Sequence, residues 1–440
     1  MTPDSETRAI LALAHVAPRI PRADAVDAVL RDEKRALSVL RANQVLSYGA
    51  AQLAESGRAP TGSVILSAAA AKRKERAQLD ELWSQIGEAV AEAGVPVAGI
   101  KGRAAMSLYE EPALRDMSDV DLLVGSVDDA MALVEVLRAR GFEWWENELP
   151  WVKRDRSTGR IYGQAPLDLV RGTERLGVDL HFSGYSVRHC RFLPLDVTEP
   201  GLNRWTPLEN LPLLVGNAAG DFLIRQKDVN DIALMLEQPG WEWGSALHRI
   251  RHVGLGPFWN ALLEATAHTS RLSGEAARRA GTLALPGVPR ESPPFAVPSA
   301  RRRVRGTVID AYRSADGPLA GMKLAAASYR YYRRPLRLTA ERSCTHDAEA
   351  AAPVRHLRND VCVRLVPLDM VHGLAPASPP PPEETGKPES SSVQGSTRLR
   401  ELVVSGHSFA QLNGELFATT VHYDICPVQR DVAAGDLGRD

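Results

Sequence analysis

Two aspartates separated by one residue stand in the apolar segment Asp119-Val-Asp121-Leu-Leu-Val124. Side chains two apart on a β-strand share one face. The neighbouring leucines and valine indicate a buried strand, where a carboxylate without a partner is energetically costly. A divalent cation removes that cost, because Mg²⁺ binds carboxylate oxygens and keeps phosphate oxygens and water in its other positions. Two such ions, about 4 Å apart, could hold the attacking and leaving oxygens of an in-line phosphoryl displacement.

A third carboxylate is expected from a neighbouring strand. Asp179, in Gly177-Val-Asp-Leu-His-Phe182, is the favoured candidate, and Asp168, about ten residues earlier in another apolar segment, is the alternative. His181 shares a face with Asp179 and is a candidate accessory base or partner, although a lone strand histidine is more often structural. The predicted catalytic and metal-binding residues are Asp119, Asp121 and Asp179.

An Asp-x-Asp pair alone often does no more than end a strand, and the residues before it favour catalysis. A strand over residues 97–100 is followed by the turn Lys101-Gly102 and a helix. Backbone N–H groups at such a turn can bind phosphate, and Lys101 adds a positive charge. Arg115, four residues before Asp119, either neutralises phosphate or forms a plain ion pair. Lys101, Gly102 and Arg115 are therefore predicted nucleotide-binding residues.

The order of these motifs resembles that of a known family. The resemblance is carried by Gly99-Ile-Lys-Gly-Arg103, Leu108-Tyr109, Pro112-Ala-Leu-Arg115, Met117-Ser-Asp-Val-Asp-Leu-Leu-Val124, Gly141-Phe142 and Val178-Asp-Leu-His181. Over roughly residues 8 to 270 the chain resembles the uncharacterised nucleotidyltransferase family of the DNA polymerase β-like nucleotidyltransferase superfamily. The resemblance implies a small mixed sheet with two metal-binding acids on one strand and a third on another. The chain departs from the wider superfamily where the usual glycine–serine turn is Lys101-Gly102, so the serine that helps hold the triphosphate is missing.

A second resemblance lies downstream, in Arg225-Gln-Lys-Asp-Val-Asn-Asp231. This segment looks like the Lys-Asp-x-x-Asp segment of antitoxin-type and antibiotic-modifying nucleotidyltransferases. The resemblance implies that Lys227 faces the nucleotide and that Asp231 orients the acceptor or the lysine. The alternative is a solvated ion pair, because residues four apart on a helix are neighbours.

The pattern around the motifs predicts helices on both sides of an α/β (α+β) core. Leu79, Leu82, Ile86 and Val90 recur at spacings of three and four and predict a long helix that ends at Gly94. Strand-like and helix-like segments then alternate. The predicted units are a helical lead-in (1–94), a mixed-sheet nucleotidyltransferase core (95–200), a helical subdomain (201–285), a basic region of uncertain fold (286–377), a disordered linker (378–396) and a C-terminal segment of unknown role (397–440).

The composition of the chain indicates which classes of partner and which cellular compartment to expect. The formal net charge of −1 does not indicate bulk nucleic-acid or membrane binding. The arginine-rich stretch 301–337 also carries tyrosines that could stack on RNA, although a solvated face or docking surface is favoured. Four widely separated cysteines, an N-terminus unlike a signal peptide and the lack of a long apolar run predict a soluble cytoplasmic protein.

Together these features predict a Mg²⁺-dependent nucleotidyltransferase. It would move a nucleotidyl group from a nucleoside triphosphate, ATP among the candidates, to a small-molecule, peptide or protein acceptor and release pyrophosphate. One alternative is a catalytically silent protein that binds a nucleotide or peptide, which the missing serine favours slightly. The other is an antitoxin-like nucleotidyltransferase that modifies another protein.

Overall fold

A computed structural model describes most of the chain up to residue 297 and four strands beyond it. The described residues are 4–144, 150–154, 160–172, 174–187, 191–288, 291–297, a few single residues between 304 and 326, and 363–367, 399–404, 407–412 and 415–421. The predicted linker 378–396 and nearly all of the arginine-rich stretch 301–337 lie outside the described residues.

Five helices precede the sheet: α1 (Ser5–Leu13), α2 (Arg22–Arg31), α3 (Glu33–Ala42), α4 (Leu46–Glu55) and α5 (Val64–Ala93). Helices α1 to α4 and the first turns of α5 pack around one core, which includes Ile10, Leu40 and Ile65. The long helix α5 is confirmed, and Gly94 ends it in the left-handed conformation at φ 67°.

The core is a mixed sheet, as the sequence predicts, so the α+β fold class is confirmed. Its first strands are β1 (Pro96–Gly99), β2 (Asp119–Val124), β3 (Phe142–Trp144), β4 (Trp151–Arg154), β5 (Ile161–Arg171), β6 (Glu174–Phe182) and β9 (Gly201–Arg204). Strands β7 (Gly184–Val187) and β8 (Arg191–Pro194) form a separate hairpin. In the part of the sheet that bears the predicted acids the order is β5-β6-β2-β1-β9, and β2 and β6 are parallel.

The remaining helices are α6 (Gly102–Ala105), α7 (Val127–Ala139), α8 (Pro207–Asp221), α9 (Gln226–Glu237), α10 (Gly244–His252), α11 (Gly256–Thr269) and α12 (Gly274–Leu283). They cover the sheet on both faces. Val120 and Leu122 of β2 are buried with α5 and α7, whereas Leu123 is buried with α8 to α12. Because side chains alternate along a strand, Asp119 and Asp121 share the face of Leu123 and point toward the C-terminal helices. Within the described helices, none has the length and apolar character needed to cross a bilayer.

Four strands late in the chain extend the same sheet: β10 (Val363–Pro367), β11 (Leu399–Val404), β12 (His407–Leu412) and β13 (Glu415–Val421). Strand β10 pairs with β4, with Val363 opposite Val152, and the order continues β10-β13-β12-β11 toward the edge. Phe417 is fully buried and packs edge to face on Trp144, with ring centroids 5.8 Å apart. These strands therefore share a core with the sheet that carries the acids.

His15 joins the N-terminal helices to the C-terminal helices through a neutral ring. Its Nδ1 accepts a hydrogen bond from the Ala17 N–H at 3.0 Å, and its Nε2 lies 3.0 Å from the Ser270 hydroxyl. Since Nδ1 accepts, the ring proton is on Nε2. Burial, followed by the charge of Arg22, lowers the pKa of His15 to about 4.

We predict that acidification destabilises the protein through His15. The unfolded residue takes up a proton near its ordinary pKa of about 6.5 and the folded one only near 4, so stability present above pH 6.5 is lost as the pH falls to about 4. The loss amounts to about 3 kcal/mol at most. His15→Asn keeps an acceptor near the Nδ1 position and should lose less stability when denaturant unfolding is compared at about pH 7 and pH 4.5. Equal losses in both proteins would contradict this.

Candidate active site

The register of β2 against β6 brings acidic side chains together. Asp121 lies opposite Asp179, and Asp119 lies opposite Gly177. In the following row His181 lies opposite Leu123. One face of the sheet thus carries three acids and a histidine on two adjacent strands.

Asp121, Asp179 and His181 offer a donor set for a divalent cation. Each provides one ligand atom, and these atoms all lie within 4.8 Å of one another. Carboxylates suit Mg²⁺ and Mn²⁺, and the imidazole adds a nitrogen donor, which transition metals favour. The residues present therefore fit a bound metal ion. Asp119 lies two residues before Asp121 on the same face, and its metal-binding role stays a prediction.

His181 is held as a neutral side chain within this cluster. Its Nε2 lies 3.5 Å from Oδ1 of Asp121, and its ring packs edge to face on Tyr185 at 5.0 Å. Burial, followed by the charge of Lys101, lowers the pKa of His181 to about 4. A neutral imidazole has a lone pair that it can give to a metal ion or to a proton. The accessory role predicted for His181 is compatible with either use.

The Lys101 ammonium neutralises Asp121. Its Nζ lies 2.6 Å from Oδ1 of Asp121 and 5.0 Å from the centre of the Tyr185 ring. Burial alone would lower the Lys101 pKa, but the charges of Asp121 and Asp179 and the hydrogen bond to Asp121 outweigh it and raise that pKa well above its usual value. Burial would likewise raise the pKa of Asp121, and Lys101 and His181 instead lower it to about 2. Lys101 and Asp121 are therefore a charged pair at neutral pH.

The negative charge of Asp119 is less well compensated by nearby positive charges than that of Asp121. It is partly buried, and Ser118 donates a hydrogen bond to it at 3.2 Å. Burial, and next the charge of Asp121, raises the pKa of Asp119, while Lys101 and Lys227 act in the opposite direction. Lys227, at the start of α9, has a pKa that burial lowers, and the charges of Arg115 and Arg225 contribute to that shift. The charge of Lys227 thus acts on Asp119, and the nucleotide contact that the resemblance implies for this lysine stays a prediction.

Arg115 and Asp231 form a buried ion pair with each other. Nη2 of Arg115 lies 2.8 Å from Oδ2 of Asp231, Nε lies 3.1 Å from Oδ1, and the Tyr109 hydroxyl donates to the same carboxylate at 2.9 Å. The two side chains are only 4% and 2% exposed. The two residues of this pair are 116 positions apart in the sequence. Nucleotide binding by Arg115 and an accessory role for Asp231 stay predictions, and the pair itself fixes α9 against the segment that enters β2.

The two candidates for the third acid have different surroundings. Asp168, on β5, lies opposite Gly177, and its carboxylate accepts from Arg175 at 3.2 Å. It is therefore one strand further from β2 than Asp179, which pairs directly with Asp121. The strand order brings Asp179, and not Asp168, into the cluster of possible metal ligands.

The predicted turn is tight, and two nearby residues were missed by the sequence analysis. A Cβ at Gly102 would lie 3.0 Å from Met117 Cγ and 3.2 Å from Arg115 Nη1, so a larger residue there would displace one of these side chains by a few tenths of an ångström. Tyr185 packs on both Lys101 and His181, and its only signal was a place four residues after the histidine. Asn210 hydrogen-bonds the backbone of Lys101; it is one of two asparagines in α8, and nothing in the local sequence distinguishes it from Asn217.

A mixed sheet with acids on adjacent strands and lysines beside them is the arrangement that the sequence predicts for a nucleotidyltransferase. The model of the family described as uncharacterised nucleotidyltransferase matches residues 30–271, more than half of the chain. The chain belongs to this family and is classified by it as an enzyme that transfers nucleotidyl groups. Neither the curated proteins nor the solved structures contain a match to the chain.

We predict that the Arg115–Asp231 pair is a major stabilising contact. Asp231→Asn keeps the size of the side chain but leaves a buried guanidinium without its counter-charge, which costs about 3–5 kcal/mol. The matched control is Asp196→Asn, which removes the acid of the far more exposed Arg160–Asp196 pair and should cost less than about 1 kcal/mol. Denaturant unfolding measures both. Similar small losses in the two variants would show that the buried pair does not hold α9 in place.

Proposed function

We propose that the chain is a Mg²⁺-dependent nucleotidyltransferase in which Asp119, Asp121 and Asp179 bind the metal ions. The observation that carries the proposal is the β2–β6 register, which sets Asp121 directly beside Asp179. When bound, the cations would neutralise charge on the phosphoryl oxygens during an in-line displacement. Two lysines near the same acids support a polyanionic substrate, and we propose a nucleoside triphosphate such as ATP.

In the proposed reaction the acceptor atom forms a bond to the α-phosphorus of the nucleotide. The bond between that phosphorus and the oxygen bridging to the β-phosphate breaks, and pyrophosphate leaves with the electron pair. The proton of the acceptor passes to the carboxylate of Asp179, which is only partly buried and so can be reached by an acceptor. The proposed acceptor is a small molecule, a peptide or a protein in the cytoplasm, since the widely spaced cysteines are typical of a reducing compartment.

The lysines are proposed to act on the triphosphate. The ammonium of Lys101 forms an ion pair with the Asp121 carboxylate. A metal ion bound to that carboxylate would leave the ammonium available to a phosphate oxygen. Lys227 lies close enough to Asp119 for its charge to affect the carboxylate. Both side chains bind phosphate as point charges, which compensates for the serine missing from the turn.

The second candidate function is a protein that binds a nucleotide or peptide without turnover. The contact that favours it is the 2.6 Å bond between Lys101 and Asp121, because a lysine that permanently neutralises a metal ligand would keep the metal out. An antitoxin-like enzyme that modifies a protein would share the metal site and differ only in its acceptor. Metal binding therefore separates the silent protein from both enzymes.

The test removes the charge of each acid in turn. Asp119→Asn, Asp121→Asn and Asp179→Asn keep side-chain size and should each lower Mg²⁺-dependent turnover by about 10²-fold or more, because the ions stabilise charge in the transition state. Turnover is measured as pyrophosphate release and as transfer of the α-phosphate label of a nucleoside triphosphate to components of a cell extract. Binding of a non-hydrolysable triphosphate with and without Mg²⁺ is measured in parallel.

Asp168→Asn is the matched control, since it removes a buried acid from the neighbouring strand. It should leave Mg²⁺-dependent binding and turnover close to the wild-type values. If Asp121→Asn keeps both properties, or if Asp168→Asn is as severe as Asp179→Asn, the assignment of the metal site is wrong. Triphosphate binding by the wild type without metal dependence and without turnover would favour the silent protein.

A further inference from the structure

The backbone of Lys101 adopts a conformation that side chains rarely take. Its φ is 45° and its ψ is −111°, between the end of β1 and the first residue of α6. Positive φ is disfavoured for residues with a Cβ, and such strain persists only where the surrounding structure imposes it. The residue that supplies the ammonium beside Asp121 is therefore held by something outside its own segment.

Asn210, on α8, makes the contacts that hold it. The Lys101 N–H donates to Oδ1 of Asn210 at 2.7 Å, and Nδ2 of Asn210 donates to the Lys101 carbonyl oxygen at 3.0 Å. One amide thus binds the N–H and the C=O of a single residue, which fixes the orientation of both flanking peptide groups. Asn210 is fully buried, and it is fixed in turn by a helix start at which Thr206 and Glu209 form a reciprocal capping box.

The orientation of the Lys101 backbone determines where its side chain goes. With the backbone held as it is, Nζ reaches Asp121 and the side chain crosses the face of Tyr185. A return to negative φ would turn the Cα–Cβ bond away from this path. A long lysine side chain loses rotamer freedom when it is fixed, and a scaffold that fixes it before the ligand arrives improves binding.

We propose that Asn210 is a positioning residue, which holds Lys101 in its strained conformation so that the ammonium lies at the acids where the triphosphate binds. The proposal rests on the proposed function for the identity of the ligand, and Asn210 itself need not touch the nucleotide. An aspartate could accept from the Lys101 N–H but would face the carbonyl oxygen with a second acceptor. The amide is therefore the group that fits.

The first experiment measures the position of Lys101 without any nucleotide. Trace acetylation of the full-length protein with acetic anhydride, followed by mass spectrometry of the Lys101 peptide, reports how far its ammonium is engaged. Asn210→Ala should raise the labelling of Lys101 several-fold over the wild type. The matched control is Asn230→Ala, which removes another fully buried helical asparagine, whose hydrogen bonds go to Ala14, Val16 and Gln226, and it should leave the labelling unchanged.

The second experiment is a double-mutant cycle on the binding of a non-hydrolysable ATP analogue with Mg²⁺. Asn210→Ala and Lys101→Met should each weaken binding by about tenfold, the size expected for one charged hydrogen bond. If Asn210 acts through Lys101, the double variant should be no weaker than Lys101→Met alone. Should Asn210→Ala fold poorly, Asn210→Asp takes its place in both experiments, with the same expected results.

Unchanged labelling of Lys101 in a folded Asn210 variant would overturn the proposal, and so would binding losses that simply add. Equal increases in labelling for the Asn210 and Asn230 variants would also overturn it, since general loosening would then explain both. A wild type that binds no triphosphate would refute the proposed function. The labelling result would still decide whether Asn210 positions Lys101.

Discussion

The parallel pairing of β2 with β6 is the constraint on which the site depends. In this register Asp121 stands beside Asp179, and a slip of one residue would move every side chain of β2 to the opposite face. The hydrophobic core prevents such a slip, because Val120 and Leu122 are buried with α5 and α7 on the other face of the sheet. Burial of Val120 and Leu122 on one face of β2 thus also fixes Asp119 and Asp121 on the opposite face, toward the C-terminal helices.

Clustered acids on a covered sheet face repel one another and lose hydration, so the charge has to be compensated from outside the sheet. Distant parts of the chain provide this compensation. Lys101 comes from the turn after β1 and bonds Asp121, and Lys227 comes from α9, which the buried Arg115–Asp231 pair ties to the segment before β2. The C-terminal helices therefore cover the site and also contribute a positive charge that acts on Asp119.

The sequence predicted those parts of the molecule whose signals are local. Helix α5 and strand β2 are marked by their own periodicity, and the pairing of two acids follows from a spacing of two. The sequence favoured Asp179 but kept Asp168 as an alternative because both lie in apolar strands, and only the order of strands shows which one adjoins β2. Asn210 hydrogen-bonds Lys101, which lies 109 positions away in the chain. Phe417 lies on β13, which pairs with β10, and its ring packs on Trp144. Neither contact leaves a pattern in the nearby sequence.

We propose that these acids bind metal ions together with a nucleoside triphosphate. The most direct test is a crystal structure of the full-length protein grown with Mn²⁺ and a non-hydrolysable triphosphate, with anomalous scattering used to locate the metal. We expect Mn²⁺ on the carboxylates of Asp121 and Asp179, a bound triphosphate, and the Lys101 ammonium moved from Asp121 to a phosphate oxygen. A triphosphate bound elsewhere, or a Lys101–Asp121 bond kept intact with no metal beside it, would contradict it.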